Sequence, residues 1–255
     1  MKIGVMNNPS ASVYDEIELF GKAKYDFVDL TIEGPTASLD VKRVQALLDQ
    51  YDLSVVGHTD PCIPFAYPIK GIRKACFEEL ERYAKIFSAL GAKVMNIHPC
   101  YNSPLNMKQD LIEQNIETLI PLEQMASNLG LTLVLENYIA PFDRVSTFKT
   151  LLKEVPGLKV HLDFGHTNIW QDDEETFCKN LGHDIMHVHF SDNRSDEDDH
   201  LPLGVGNVDW KKAISDLKMI GYDETITLEI TCSDHTVLFQ YLDISRRLVL
   251  DLWNR

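Results

Sequence analysis

Short apolar runs alternate with longer amphipathic segments along the whole chain. The short runs, often alternating polar and apolar positions, predict β-strands, whereas apolar positions three or four residues apart predict α-helices. The predicted strands are Lys2–Met6, Asp26–Glu33, Leu53–His58, Lys93–His98, Leu131–Glu136, Lys159–Asp163, Ile185–Phe190 and Thr225–Glu229. The predicted helices are Val13–Lys24, Asp40–Gln50, Gly71–Leu90, Asp110–Leu129, Val145–Glu154, Asp173–Asn180, Trp210–Ile220 and Val237–Leu252.

This alternation is a repeated βα unit. Gly91, Gly130 and Gly221 each end a predicted helix shortly before the next strand. No Pro/Gly/Ser-rich break interrupts the units, so residues 1–255 are expected to form one domain. Eight such units favour an α/β fold, a single (β/α)8 barrel whose strand ends converge on one mouth. The alternative is an open doubly wound sheet, but residues 7–10 read Asn-Asn-Pro-Ser where a Gly-rich phosphate loop would follow the first strand.

Potential metal ligands recur where the predicted strands end. In the fifth strand Thr132, Val134 and Glu136 share one face, while Leu133 and Leu135 share the other. In a barrel the aliphatic face packs against the helices and the mixed face turns inward, so the strand-end ligands should all point into the mouth. These residues are His58, His98, Glu136, Asp163, His189 and Glu229.

Imidazoles and carboxylates from several strands are typical of an open, catalytic metal site rather than a closed structural one. We therefore expect at least one divalent cation, Zn²⁺ or Mn²⁺, at the mouth. Asp198 and His200, in the loop after the seventh strand, are further candidates. His161 and His187 lie two residues before Asp163 and His189 on the same strand face, and we expect them to fill the barrel or support the ligands.

Charge and cysteine usage narrow the partners and the compartment. With 39 acidic and 24 basic residues, the formal net charge is −15, which repels phosphate polymers and anionic membranes. Nucleic acid is therefore disfavoured as a partner, although a metal cluster can reverse the local field. The five cysteines form no CxxC pair and are odd in number, as expected of reduced thiols. Without a signal peptide or membrane-length apolar run, the expected location is cytoplasmic, with no membrane partner.

Several motifs carry a resemblance to a known family. They are Leu135-Glu136-Asn137, Asp163-Phe164-Gly165-His166, the run from His187 to Asp192, the run from His200 to Trp210, and Leu228-Glu229. In this order and spacing they resemble the xylose-isomerase-like TIM-barrel superfamily. That superfamily contains sugar-phosphate isomerases and epimerases and, as a branch, the endonuclease IV-type apurinic endonucleases. The resemblance extends over essentially the whole chain.

The epimerase pattern implies one metal ion, bound by Glu136, Asp163, His189 and Glu229. Glu136 and Glu229 would also be the catalytic acid and base, removing a proton next to a metal-polarised carbonyl of a small sugar or sugar phosphate. His166 and Arg194 would hold the substrate hydroxyls. Phe142 stands where ketohexose 3-epimerases carry a second Glu, so a free ketohexose is not the expected substrate.

The endonuclease IV pattern implies a different enzyme, a trinuclear zinc phosphodiesterase. Its nine ligand positions all have counterparts here, namely His58, His98, Glu136, Asp163, His166, His189, Asp198, His200 and Glu229. A DNA enzyme also needs basic residues aimed at phosphates. The loop at residues 33–38, after the second strand, has none. We therefore favour the isomerase or epimerase as the function and keep the hydrolase as the alternative. The sequence leaves open whether the chain forms a homodimer.

Overall fold

A computed structural model describes residues 1–33, 37–102, 104, 110–232 and 234–255. Residues 34–36, in the loop singled out above for its lack of basic residues, lie outside this description. Parallel strands close into a barrel in chain order, with the last strand paired to the first. The predicted (β/α)8 barrel is confirmed. Over the described residues, no helix is long and apolar enough to cross a membrane.

The elements follow the predicted alternation. The strands are β1 Lys2–Met6, β2 Phe27–Ile32, β3 Ser54–Thr59, β4 Val94–Ile97, β5 Thr132–Glu136, β6 Lys159–Asp163, β7 Ile185–Phe190 and β8 Thr225–Leu228. The helices are α1 Val13–Lys22, α2 Val41–Tyr51, α3 Lys70–Ala89, α4 Leu111–Asn128, α5 Val145–Glu154, α6 Phe164–Thr167, α7 Glu174–Leu181, α8 Trp210–Met219 and α9 His235–Trp253.

Among the α-helices that the structure describes, the short helix α6 is the one that the sequence pattern did not predict. It follows β6 without a loop, and the Asp163 carboxylate caps it by accepting a hydrogen bond from the His166 backbone N–H. Four residues are too few to show helical periodicity. The consequence is that Asp163 and His166 are held in a fixed relation one turn apart.

The two faces of the sheet differ as the strand pattern predicts. Outward side chains such as Val28 and Leu133 join the large core between sheet and helices. Inside the barrel, an apolar layer near the amino ends of the strands consists of Phe27, Val56, Val94 and Val134. Two residues further along the same four strands, the inward layer becomes polar, with Asp29, His58, Asn96 and Glu136. The barrel interior therefore changes from apolar to ionisable toward its carboxyl end.

Gly57 lets α3 approach the sheet closely. A Cβ at this position would lie 2.5 Å from the ring of Phe87, which is fully buried. We expect Gly57→Ala to lower the free energy of unfolding by about 1–3 kcal/mol, because the ring must shift in a packed core. Gly71→Ala, in the first turn of α3 with nothing within 4 Å, is the matched control and should unfold at or above the wild-type urea concentration. Equal unfolding midpoints for the two variants would contradict this packing argument.

Candidate metal centre

The structure places the nine candidate ligands around the carboxyl-terminal mouth of the barrel. A cavity of about 150 Å³ opens there. Seven of the nine line it, namely His58, His98, Glu136, His166, Asp198, His200 and Glu229. Asp163 and His189 are fully buried beside it. The ligand atoms fall into three neighbouring groups.

The first group joins β3, the end of β4 and β5. Ligand atoms of His58, His98 and Glu136 lie within 4.8 Å of one another. His98 Nε2 is 3.1 Å from Glu136 Oε2. The amide of Asn96 donates a hydrogen bond to the same Glu136 oxygen at 2.8 Å and lies 3.1 Å from His58 Nε2, so it braces two members of the group.

The second group joins β6, β7 and β8. His189 Nδ1 is 2.9 Å from Glu229 Oε2 and 3.8 Å from Asp163 Oδ2. Asp163 also belongs to a cluster with Glu136 and His166, which links this group to the first. Carboxylates from separate strands thus converge on one imidazole.

The third group depends on the loop after β7. His166 Nε2 and His200 Nε2 lie 3.1 and 3.3 Å from the same oxygen of Asp198, Oδ2. His200 adopts a left-handed backbone conformation, with φ of 47°, which is uncommon for a residue other than glycine. Its neighbours must therefore hold it in place.

That loop is anchored by Asp192. Backbone hydrogen bonds join Asp192 to Leu201 in both directions, so the two ends of the loop are paired. The buried Asp192 carboxylate accepts from the N–H groups of Asn193, Gly204 and Val208 and from the Trp210 indole. Gly206 backs directly onto Asp192 and Asn193, where any side chain would clash. The segment that carries Asp198 and His200 therefore has fixed ends.

Asp29, which the sequence analysis missed, lies beneath the centre and is fully buried. Its Oδ2 atom is 3.0 Å from His187 Nε2 and 2.8 Å from His189 Nε2, and it accepts a hydrogen bond from the Thr227 hydroxyl at 2.8 Å. Burial acts to raise the pKa of Asp29, but hydrogen bonds from His187 and His189 hold it well below its usual range. Asp29 is therefore an anion that accepts from two imidazole rings.

Hydrogen bonds to Asp29 and to the backbone determine which histidine nitrogens can bind a metal. Because His189 donates through Nε2 to Asp29, Nδ1 is the nitrogen that faces Glu229 and Asp163 and that would bind a metal after losing its proton. His166 is oriented in the opposite sense, since its Nδ1 lies 2.8 Å from the carbonyl oxygen of Asn137 and leaves Nε2 toward Asp198. Such a second partner commonly fixes the tautomer of a metal-binding histidine.

The charges of the ligand set are compatible with a bound cation. Burial raises the pKa of Asp163 to about 7, with His166 opposing and Glu229 and Glu136 adding to the rise. Burial acts to lower the pKa of His166 and His200, yet Asp163 and Glu229, respectively, raise them to about 10. Protons on the imidazoles therefore balance the buried carboxylates, and a divalent cation could replace them.

Unpaired atoms support the same conclusion. Within the described part of the chain, several buried atoms of the ligand set have no hydrogen-bond partner, namely Nδ1 of His58, His98 and His200, Oδ2 of Asp163 and Oδ1 of Asp198. Unpaired buried polar atoms are costly unless a ligand satisfies them. These nitrogen and oxygen donors are of the type that Zn²⁺ and Mn²⁺ bind, so the residues fit a divalent metal.

Other candidates take different places. Arg194, predicted to hold substrate, has 58% of its side chain exposed. Its Nη1 atom lies 3.4 Å from Oδ2 of Asp199 in the same loop. It does not line the cavity, so a contact with substrate stays a prediction. His161 and His187 are fully buried inside the barrel, with the His161 and His189 ring centroids 4.0 Å apart. Phe142 lies in the apolar core.

Comparison with known proteins places this geometry in a family. The family model described as "Xylose isomerase-like TIM barrel" matches residues 14–247. The chain belongs to this family. The resemblance inferred from the motifs is thus confirmed, and the closed barrel with its ligands at the strand ends is this family's fold in the present sequence.

The proteins that match most of this chain have low sequence identity to it. An uncharacterized protein of Methanocaldococcus jannaschii is 26% identical, covering 94% of this chain and 88% of that one. A fructoselysine 3-epimerase of Escherichia coli O157:H7 is 22% identical over 85% of this chain and 81% of its own. Among solved structures, a D-tagatose 3-epimerase-like protein is 27% identical with a TM-score of 0.80, and the match covers 98% of this chain and 100% of that one.

Replacing Asp29 tests whether it orients the centre. Asp29→Asn removes the anionic acceptor, so His189 can turn its lone pair away from Glu229, and we expect the affinity for Zn²⁺ to fall about 10- to 100-fold. A competitive chelator titration measures this affinity. Asp49→Asn, at an exposed position of α2, is the control and should bind zinc as the wild type does. Unchanged zinc affinity in a folded Asp29→Asn variant would show that the anion does not orient the ligand.

Proposed function

We propose that the protein is a divalent-metal-dependent epimerase or isomerase of a small sugar. The observation that carries the proposal is the position of Glu136 and Glu229, two buried carboxylates that line one small cavity. Glu136 ends β5 and Glu229 directly follows β8, and the strands between them supply Asp163 and His189. A substrate in the cavity would thus have one carboxylate on each side and the other metal ligands between them.

The charge states of the pair suit proton transfer. Burial acts to raise the pKa of Glu136, but His98 and His161 hold it well below its usual range. His200 and His189 outweigh burial and lower the pKa of Glu229 to about 2. Each carboxylate is therefore ionised, which is the form that can accept a proton from carbon. One Glu would take the proton from carbon on one face of the substrate, while the other would first gain a proton from solvent and then return that proton to the opposite face.

A divalent cation, bound by Glu136, Asp163, His189 and Glu229, would polarise the carbonyl next to that carbon. His166, which lines the cavity, would hold a substrate hydroxyl. The cavity measures about 150 Å³, which is smaller than the roughly 300–1,000 Å³ of drug-sized ligand pockets. A cavity of this size suits a compact polyol. The fructoselysine 3-epimerase and the D-tagatose 3-epimerase-like protein named above support this substrate class.

Isotope exchange tests the proton transfer. Incubation with ketoses in deuterated water should place deuterium next to the carbonyl, as detected by NMR. We expect Glu136→Gln and Glu229→Gln each to slow exchange about 100-fold or more, because each removes one acid–base group. Glu224→Gln changes an exposed acid just before β8, at the opposite end of the barrel, and should keep the wild-type rate. Full exchange in the Glu136→Gln variant would remove that residue from the mechanism.

A second candidate function is a trinuclear zinc phosphodiesterase. One specific observation favours it. A single-metal epimerase needs only four ligands, yet the remaining candidate metal ligands also lie close together at the mouth of the barrel. These are His58 and His98 in the first group and His166, Asp198 and His200 around one carboxylate oxygen. The opposing observation is charge, because no Lys or Arg is among the described residues that line the cavity.

Metal content separates the two candidates. For the epimerase we expect one tightly bound cation per chain, retained in His98→Ala because that residue is not among the four ligands. For the hydrolase, about three zinc ions would bind, and the same variant would lose them together. Elemental analysis after dialysis measures the count, and His183→Ala, at an exposed site before β7, is the control. Three zinc ions together with phosphodiesterase activity would overturn the epimerase proposal.

A further inference from the structure

A second cavity lies next to the candidate metal centre. It measures about 450 Å³, and its walls come from the loop after β1, helix α1 and the segment that follows Glu229. Met6 lines both cavities. Thr231, in the wall of the larger cavity, donates its backbone N–H to the carbonyl oxygen of His200 in the centre. A molecule that extends from the centre past Met6 would enter this larger space.

The larger cavity contains a buried acid that the proposed reaction does not use. Glu16 lines it, although only 2% of the residue is exposed. One carboxylate oxygen, Oε2, accepts a hydrogen bond from the Asn8 N–H at 2.9 Å. The other oxygen, Oε1, receives no hydrogen bond from any residue that the structure describes. Oε1 is not among the fully buried atoms that lack a partner, so it has access to the cavity, where a donor group of a ligand could reach it.

The charge around this cavity selects the chemistry of that donor. Among the described residues of its wall there is no Lys or Arg. Asp15 precedes Glu16 in the first turn of α1, so the local field is negative. Burial raises the pKa of Glu16 to about 7, with the Asn8 N–H opposing, so the carboxyl group keeps substantial anionic character at neutral pH. A phosphate dianion would be repelled here, whereas a hydroxyl or a protonated amine could donate to Oε1.

We propose that the cavity at Glu16 is a substrate subsite that binds the hydroxyl- or amine-bearing far end of the substrate and excludes a phosphate there. The inference rests on the proposed sugar chemistry of the neighbouring centre, which it narrows from sugars and sugar phosphates to nonphosphorylated ones. D-Tagatose and its derivatives serve below as binding probes, because Phe142 argues against a free ketohexose as the substrate itself. Met6 suits its position between the two cavities, because its unbranched thioether side chain can adapt its shape to a substrate that extends from one cavity into the other. Glu16 is thus a specificity-determining residue, separate from the acid–base pair.

Ligands that differ only at their far end test the subsite. Calorimetry on the zinc-loaded full chain would compare D-tagatose, 6-amino-6-deoxy-D-tagatose and D-tagatose 6-phosphate. We expect the wild type to bind the first two at least about tenfold more tightly than the phosphate. Glu16→Gln keeps an oxygen for the Asn8 N–H but removes the charge, so the preference for the amine should fall by about tenfold. Glu18→Gln, an exposed acid of the same helix, should keep the wild-type order.

The outcomes separate the subsite from the reaction. Equal affinities for all three ligands, no binding of any of them, or an order unchanged by Glu16→Gln would overturn the subsite. A purely structural role of Glu16 would lower the free energy of unfolding without changing that order. Deuterium exchange reports the reaction independently. Deuterium exchange combined with a binding order that Glu16→Gln leaves unchanged keeps the epimerase and removes the subsite, whereas Glu16-dependent binding without exchange keeps the subsite and removes the epimerase.

Discussion

Closure of the β-sheet is the constraint on which the metal centre depends. Once β8 pairs with β1, every second side chain of each strand must enter the same interior. Near the amino ends that interior is filled by residues such as Phe27 and Val134, and further along it becomes ionisable. Carboxylates and imidazoles that water would otherwise separate are forced within bonding distance. The apolar layer between sheet and helices supplies the stability that this arrangement requires.

Within that interior, Asp29 sets the orientation of the histidines before any ligand arrives. A single buried anion accepts from His187, His189 and Thr227, so two imidazole rings and a hydroxyl are oriented by one charge. The arrangement explains how the barrel can hold neighbouring histidines and still fix which ring nitrogen donates a hydrogen bond. Rings next to Asp29 are fixed by its charge, whereas those at the mouth respond to the carboxylates that face them.

Strand periodicity and strand-end chemistry were sufficient to predict the barrel and to nominate the residues at its mouth. They did not reveal Asp29 or Asn96, because both lie inside strands, where a polar residue has no distinctive pattern. The available signal was strand position. Asp29 lies two residues after Phe27 and Asn96 two residues before His98, so each shares the inward face of its strand. Which residues meet across the barrel depends on strand register, and no local pattern encodes register. The exposure of Arg194 likewise depends on how its loop folds back.

The paired ends of the loop after β7 have an implication for how such enzymes diversify. Asp192 and Leu201 close the excursion at its base, while residues 194–197 are exposed at its tip. Insertions or exchanges at the tip can therefore be accommodated without displacing the anchored base. A natural or designed library confined to those positions would vary the exposed surface next to Asp198 while the underlying framework stays intact.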